Sequence, residues 1–334
     1  MTETRRRTKS FRLGYVIAVL LALTFACHSA IAQGLKTVLK TQVPLPRIAG
    51  VAGAANGKLY FIGGLTANGN IGTVHEFDPI RNSWSTKKPL PTPRASAAAV
   101  NLDGRIYVLG GRDNNSVLST VERYDPTSDT WSKLAPMLTP RWNFMAATVD
   151  GKIYAFGGIA GVGNARSVLD VVEVYDQLKD KWSALSPMQL GNSSAGIAVI
   201  GTKIFIIGGR LKAGANSSGS ATSKVYVYDT GTGKWGTGPS MNQERTGLEA
   251  CTLEGRIYAI GGGSRGRITA TIEMLDPNAN KWALIESLRT PRTNHSCAVL
   301  KSKIYVVGGF SVSDGSKIFS SSLTSLEELS PAAK

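Results

Sequence analysis

Arginine is the side chain whose spacing in this sequence most suggests chemistry. One series recurs in front of apolar segments, for example 47 residues apart from Arg47 to Arg94, and a second, irregular series follows glycine pairs. A planar guanidinium group can bind a carboxylate, sulfate or phosphate through two hydrogen bonds, so converging arginines would form an anion site. The candidate binding residues of this type are Arg94, Arg112, Arg141, Arg210, Arg245, Arg265, Arg267 and Arg292.

Two further candidates interrupt the regular series. Trp142 follows Arg141 directly and His295 lies three residues after Arg292, while neither residue type recurs at the corresponding places elsewhere. A Trp at the entrance of a binding site could stack on a sugar ring, although a buried wedge is an equally good interpretation. The regular arginines also have a second interpretation, because a residue repeated in this way could simply hold a connection in place.

The elements that position these side chains are short strands in a regular repeat. Each repeat has an apolar strand ending in two glycines, then a Tyr-Asp or its equivalent, then a Trp. A period near 50 residues built from short strands is typical of a β-propeller with one blade per repeat. The glycine pairs are Gly63-Gly64, Gly110-Gly111, Gly157-Gly158, Gly208-Gly209, Gly261-Gly262 and Gly308-Gly309, and the spaced tryptophans are Trp84, Trp131, Trp182, Trp235 and Trp282.

In the second repeat the segments Ala95–Leu102, Ile106–Leu109 and Val121–Tyr124 predict three strands, and Trp131 begins a fourth. The glycine pair after an Ile-Tyr strand, the Tyr-Asp-Pro and the spaced Trp resemble the kelch repeat, over roughly residues 37–330. The resemblance implies an all-β fold, a six-bladed propeller of four-stranded antiparallel blades. Because the sixth repeat ends early, we expect Val38–Gln42 to pair with Ser322–Leu329 and close the ring.

Two repeats are longer than the others. The extra residues lie in Ile159–Leu169 and Arg210–Ser223, after the glycine pairs of blades three and four. In a four-stranded blade these connections lie on the same face as the links between blades, which places most of the candidate arginines there. Enlarged loops on a rigid scaffold often bind ligands, although their Gly and Ser content is also compatible with a mobile bulge.

Residues 1–32 have the pattern of a secretory signal peptide. A basic start precedes the apolar run Leu13–Ala26, and small residues at Ala30 to Ala32 predict cleavage after Ala32. We therefore expect a secreted or periplasmic protein whose propeller spans residues 33–334, without a membrane span after cleavage. In an oxidising compartment Cys251 and Cys297 could form a disulfide, or they could be small buried fillers.

The sequence favours a binding platform over an enzyme. The formal net charge is +15, and the leader accounts for five bases and one acid, which leaves about +11. The expected partner is a protein or an anionic glycan; nucleic acid is not expected, and neither is oligomerisation. The resemblance also admits copper oxidases and sialic-acid-type mutarotases. Only two histidines follow the leader, which argues against copper. Glu244 or Glu249 could serve a mutarotase or epimerase, but no cofactor is expected and no residue is marked as catalytic.

Overall fold

The fold is known from a computed structural model that describes residues 34–213, 217–312 and 319–332. Six four-stranded antiparallel sheets follow one another along the chain. The innermost strand of each sheet contacts the innermost strands of both neighbouring sheets, so the sheets form a closed ring around a central axis. The all-β propeller expected from the sequence is confirmed. The predicted signal peptide, residues 1–32, lies outside the described residues.

The strands of the six blades are equivalent from one blade to the next. From blade one to blade six, the innermost strands are Val51–Ala55, Ala98–Leu102, Met145–Val149, Gly196–Ile200, Glu249–Leu253 and Ser296–Leu300. The second strands, in the same order, are Lys58–Ile62, Arg105–Leu109, Lys152–Phe156, Lys203–Ile207, Arg256–Ile260 and Lys303–Val307. The third strands are Val74–Asp78, Val121–Asp125, Val172–Asp176, Val225–Asp229, Thr271–Asp276 and Leu326–Pro331. The outermost strands are Ser83–Lys87, Thr130–Leu134, Lys181–Leu185, Lys234–Gly238, Lys281–Ser287 and, for blade six, Leu35–Lys40.

The connections between second and third strands carry additional short strands, and we call the face that bears them the loop face. Gly163–Ala165 is a single 3-10 turn within the loop of blade three. In the enlarged loops of blades three and four the described residues form antiparallel strand pairs, with a shift of register between Arg210 and Lys212 in blade four. The paired loop strands are Leu65–Thr66 with Gly69–Asn70, Ile159–Ala160 with Ser167–Val168, Asn192–Ser193 with Arg210–Ala213 and Ser217–Ala221, and Gly263–Ser264 with Arg267–Ile268.

The glycine pairs are required by the joints between blades. Gly157 has φ 55° and Gly158 has φ 95°, a region that side chains with a Cβ rarely adopt. A Cβ on Gly157 would lie 2.3 Å from the carbonyl oxygen of Asn192, in the link to the next blade. The N–H of Gly158 donates to that same carbonyl over 2.8 Å. The second glycine makes the same bond to the link that follows its blade in each of blades one to five.

The N-terminal strand completes blade six, as the truncated last repeat indicated. Leu35–Lys40 pairs antiparallel with Leu326–Pro331, with Leu35 opposite Pro331 and Lys40 opposite Leu326. The predicted bounds, Val38–Gln42 against Ser322–Leu329, were wrong by several residues. The reason is local: Ser322 forms an isolated bridge to Phe310 on the loop face instead of joining the blade.

The repeated tryptophans join neighbouring blades at their outer edges. In each case the indole Nε1–H donates to a carbonyl oxygen at the end of the preceding blade's outermost strand, over 2.7–3.4 Å. Trp84 donates to Thr41, directly after the N-terminal strand, so this contact also closes the ring. Trp182 and Trp282 are each 3% exposed, while the other three are only partly buried. In the described part of the chain, no helix is long and apolar enough to cross a membrane.

Candidate functional site

Six residues on the loop face, one from each blade, form a ring around the propeller axis. Each donates its backbone N–H to the carbonyl oxygen of its counterpart in the preceding blade over 2.8–3.1 Å, and each has a positive φ between 49° and 64°. We call this ring the axial belt; its members are Ala49, Ser96, Asn143, Ser194, Gly247 and Asn294. Because every belt N–H already has an acceptor, the belt offers no backbone donor to a ligand, and recognition is left to side chains.

A cavity of about 600 Å³ lies above one side of the axial belt. Four belt residues, from blades three to six, contribute to its lining. Its walls carry hydroxyl groups from Thr246 and Thr293, and the guanidinium groups of Arg166 and Arg210 from the two enlarged loops. Trp142 supplies an aromatic surface at the same place. The cavity is therefore polar, cationic and aromatic at once, a combination suited to an anionic ligand with some apolar surface.

Among the residues that the structure describes, no acidic side chain forms an ion pair with the arginines around Trp142. The guanidinium carbon of Arg112 lies 4.9 Å from the centre of the Trp142 ring, and that of Arg166 lies 5.4 Å from it. Burial and the positive charge of Arg166 lower the pKa of Arg112 below its usual value. The arginine ion pairs found among the described residues involve neither of these arginines, nor Arg210. The site thus contains uncompensated positive charge beside an aromatic ring, a stabilising contact for cations.

The regular arginines do not reach this cavity, which corrects their expected binding role. Arg94, Arg141, Arg245 and Arg292 are at most 1% exposed. Each forms an ion pair with a glutamate on the third strand of its own blade. The paired glutamates are Glu122, Glu173, Glu273 and Glu327, each no more than 3% exposed. A buried, paired guanidinium group is not available to a ligand, so these four residues are structural.

The two remaining blades replace this ion pair in different ways. In blade four both partners change together: Asn192 donates to the carbonyl oxygen of Gly208 over 2.9 Å, and Tyr226 stands in the place of the glutamate. In blade one the partner of Arg47 is His75, with 3.0 Å between a guanidinium nitrogen and Nδ1. Burial lowers the pKa of Arg47 to about 9, and burial and the charge of Arg47 lower that of His75 to about 4. Glu76, the next residue along the same strand, accepts a hydrogen bond from Tyr60 instead.

Arg265 and Arg267 lie on the loop face but outside the cavity. They belong to the blade-five hairpin, where both are exposed. Arg265 pairs with Glu244 over 2.8 Å, and Glu244 also accepts a hydrogen bond from Ser264. The predicted binding residues on this face therefore form two groups. Trp142 and Arg210 line the cavity, with Arg112 beside Trp142, whereas Arg265 and Arg267 lie on the rim.

Beneath the axial belt the axis continues as a channel between the innermost strands. His295 and Glu249 both line a space of about 80 Å³ directly under the belt. Burial, with the charge of Arg292, lowers the pKa of His295 to about 3, so its imidazole is neutral. Burial raises the pKa of Glu249 to about 8. His295 is 4% exposed and lies under the belt rather than in the loop-face cavity, which corrects its predicted position.

The two cysteines also lie along this channel. Cys251 and Cys297 are free thiols on the innermost strands of blades five and six, so the disulfide considered from the sequence is not formed in the structure. Hydrogen bonding with Cys251, followed by burial, raises the pKa of the Cys297 thiol above its usual value. Within the described residues, no group of three or more His, Cys, Asp or Glu side chains is placed to hold a metal ion.

The sequence did not identify the belt residues as part of a site. Their signal was present: each lies two positions after the regular arginine or its Asn192 replacement, and Asn143, Gly247 and Asn294 are of types that accept a positive φ. Ala49 and the two serines are not of such types, and they conceal the pattern. The cavity threonines carry no signal of their own, since hydroxyl residues are common in links.

Comparison with known proteins places this architecture among kelch propellers. The family model described as the KLHDC2/KLHL20/DRC7 Kelch-repeats domain matches residues 25–158 and 141–309, and the Kelch motif matches residues 291–334. Kelch-like protein 22 of Xenopus tropicalis is 37% identical over 86 residues, covering 25% of this chain and 13% of that protein. Kelch-like protein 40 of Xenopus laevis is 36% identical over 104 residues, covering 31% and 16% respectively. The solved structure of YjhT matches with a TM-score of 0.72 and 19% identity, covering 87% of this chain and 97% of that one.

Proposed function

Because the chain belongs to the kelch-repeat family, whose propeller fold suggests a protein-binding platform, we propose that it binds an acidic segment of a protein partner in the loop-face cavity. The observation that carries this proposal is the uncompensated charge of Arg112 and Arg166 around Trp142. A carboxylate placed there would relieve their mutual repulsion and form charge-assisted hydrogen bonds. Trp142 would cover the aliphatic part of an acidic side chain or of its neighbour.

We propose that this binding takes place outside the cytoplasm, in the periplasm or the medium, because residues 1–32 have the pattern of a signal peptide. There the partner is an exposed acidic segment of another exported or surface protein. The chain aligns with only 13% and 16% of the length of the two Kelch-like relatives. The activities of those proteins are therefore not carried over to it.

The test compares two double variants with the same change in net charge. Arg166→Gln with Arg210→Gln removes charge from the cavity, whereas Arg265→Gln with Arg267→Gln removes it from the rim of the same face. Binding of a fluorescent oligoglutamate peptide is measured by anisotropy at low and high salt. We expect the cavity variant to bind roughly 10- to 100-fold more weakly, and the rim variant to bind nearly as the unmodified protein does.

Equal losses in the two variants would indicate nonspecific attraction to a basic face and would overturn the proposal. So would affinity that does not change with salt. An acidic oligosaccharide rich in uronic acid is titrated in parallel. Binding of the oligosaccharide in place of the peptide would assign the cavity to a glycan and reject a protein partner.

A further inference from the structure

We propose that Cys251 and Cys297 form a redox-active pair in the axial channel, which a small disulfide can oxidise to a bridge joining blades five and six. This inference is independent of the ligand proposed for the loop-face cavity. It concerns the channel beneath the axial belt and uses none of the cavity residues.

The two thiols lie against each other across the junction of two blades. Cys251 is in the innermost strand Glu249–Leu253, and Cys297 is in the neighbouring innermost strand Ser296–Leu300. The Cys297 sulfur lies 3.8 Å from the carbonyl oxygen of Ala250, the residue before Cys251. Both side chains also pack against the same hydrophobic cluster between blades five and six. These contacts place both thiols on the same side of the junction.

Both thiols can be reached from solvent. Each residue is partly accessible, and both line a section of the channel with a volume of about 310 Å³. The same section is lined mostly by small side chains such as Ala52, Ala99 and Ala146. Alanine fills the place of Cys251 in blades three, four and six and the place of Cys297 in blades one, two, three and five, so packing alone does not require sulfur at these two positions. A reagent of a few heavy atoms fits this space.

The reaction is a thiol–disulfide exchange in two steps. The thiolate of one cysteine attacks one sulfur of the reagent disulfide, forming a mixed disulfide and releasing the first reagent thiol. The thiolate of the other cysteine then attacks the protein sulfur of the mixed disulfide, which forms the intramolecular bond and releases the second reagent thiol. The protein loses two hydrogens and the reagent disulfide gains them. Either cysteine can make the first attack, because both are partly accessible and line the channel.

The test uses the full chain carrying Cys27→Ser, so that Cys251 and Cys297 are the two remaining thiols. The folded protein is incubated with bis(2-hydroxyethyl) disulfide, denatured and alkylated with iodoacetamide, and its intact mass is measured. We expect no alkylation after oxidation, two alkylations in the reduced control, and a rise of several degrees in Tm on oxidation. Two alkylated cysteines after incubation would overturn the proposal.

Two single variants test whether the thiols act as a pair. Cys251→Ser and Cys297→Ser are each expected to stop at the mixed disulfide and gain one reagent thiol. Each variant is first shown to melt cooperatively. A stable mixed disulfide in the protein that retains both thiols would mean that the sulfur atoms cannot meet, and it would reject the bridge.

Discussion

At four of the six blades a buried arginine lies against a buried glutamate, and these pairs show why single residues matter in this fold. Desolvation offsets much of the attraction in such a pair, but removal of one partner leaves a charge without compensation. Blade four shows the other solution, in which Asn192 and Tyr226 replace both partners together. Asn192 keeps one hydrogen bond of the arginine, to the carbonyl oxygen of the first glycine, and no charge is buried.

Glu173→Gln should therefore destabilise the protein by ~3–5 kcal/mol, because Arg141 remains charged and buried. The double change Arg141→Asn with Glu173→Tyr copies blade four and should cost less than Glu173→Gln alone. Urea unfolding followed by Trp fluorescence gives both values. A double variant less stable than the single one would show that the ion pair itself, and not the avoidance of an unpaired charge, stabilises the blade.

Blade one makes stability depend on pH through His75. Its pKa is lowered from 6.5 to about 4 in the folded protein, so between these values the unfolded chain binds more protons. The stabilisation is complete above pH 6.5 and is lost as the pH falls towards 4, by ~1–3 kcal/mol for this group.

Urea titrations at pH 7 and pH 4.5 should show this loss, and His75→Gln should reduce it, since glutamine accepts a hydrogen bond without titrating. His295→Gln is measured beside it, because burial lowers the pKa of His295 in the same direction. A pH dependence that is unchanged in both variants would contradict the assignment.

At the scale of the element, the outermost strand is held by its tryptophan. Trp182 is 3% exposed and donates to Ala135 over 3.0 Å, whereas Trp131 makes the same type of bond from a partly exposed position. The contacts of the repeated tryptophans between neighbouring blades indicate a structural role. The five tryptophans are not equally buried.

Trp182→Ala should cost ~3–5 kcal/mol, as expected for a large side chain that leaves a cavity, and Trp131→Ala should cost clearly less. Chemical denaturation of the two variants under identical conditions measures the difference. Equal losses would mean that the indole hydrogen bond dominates over the buried surface.

At the scale of the whole molecule, the N-terminal strand is what makes six sheets into a ring. Leu35–Lys40 supplies the outermost strand of blade six, and Trp84 of blade one bonds to Thr41 just after it. In blade six Thr37 stands opposite Leu329, where the other blades place a tryptophan. Blade six has no spaced Trp because its outermost strand comes from the N-terminal segment and not from the sixth repeat.

Deletion of residues 35–40 should lower Tm by several degrees or cause aggregation, because the third strand of blade six becomes an open edge. Differential scanning calorimetry and light scattering measure both effects. Lys36→Ala, at an exposed position of the same strand, serves as the matched control. A deletion variant that melts like the control would show that the strand is dispensable.

The repeat, the glycine pairs and the truncated last blade could all be read from the sequence, because they depend on local backbone needs that recur at a constant step. Gly157 must be glycine wherever it lies in space, since its φ and the nearby carbonyl exclude a Cβ. The truncated sixth repeat likewise predicted that the N-terminal strand completes blade six. Only the bounds of the two paired strands were wrong.

Which residues belong to the candidate site depends on their burial and on distances between blades. A local sequence pattern contains no information on either. Arg141 and Arg112 are both arginines on loop-face connections, yet one is sealed against Glu173 and the other lies beside Trp142. Arg210 and Arg265 follow glycine pairs alike, but only Arg210 lines the cavity. The sequence determined the scaffold through short-range sterics, and only the tertiary structure decided which charges are paired, because that depends on residues brought together from different blades.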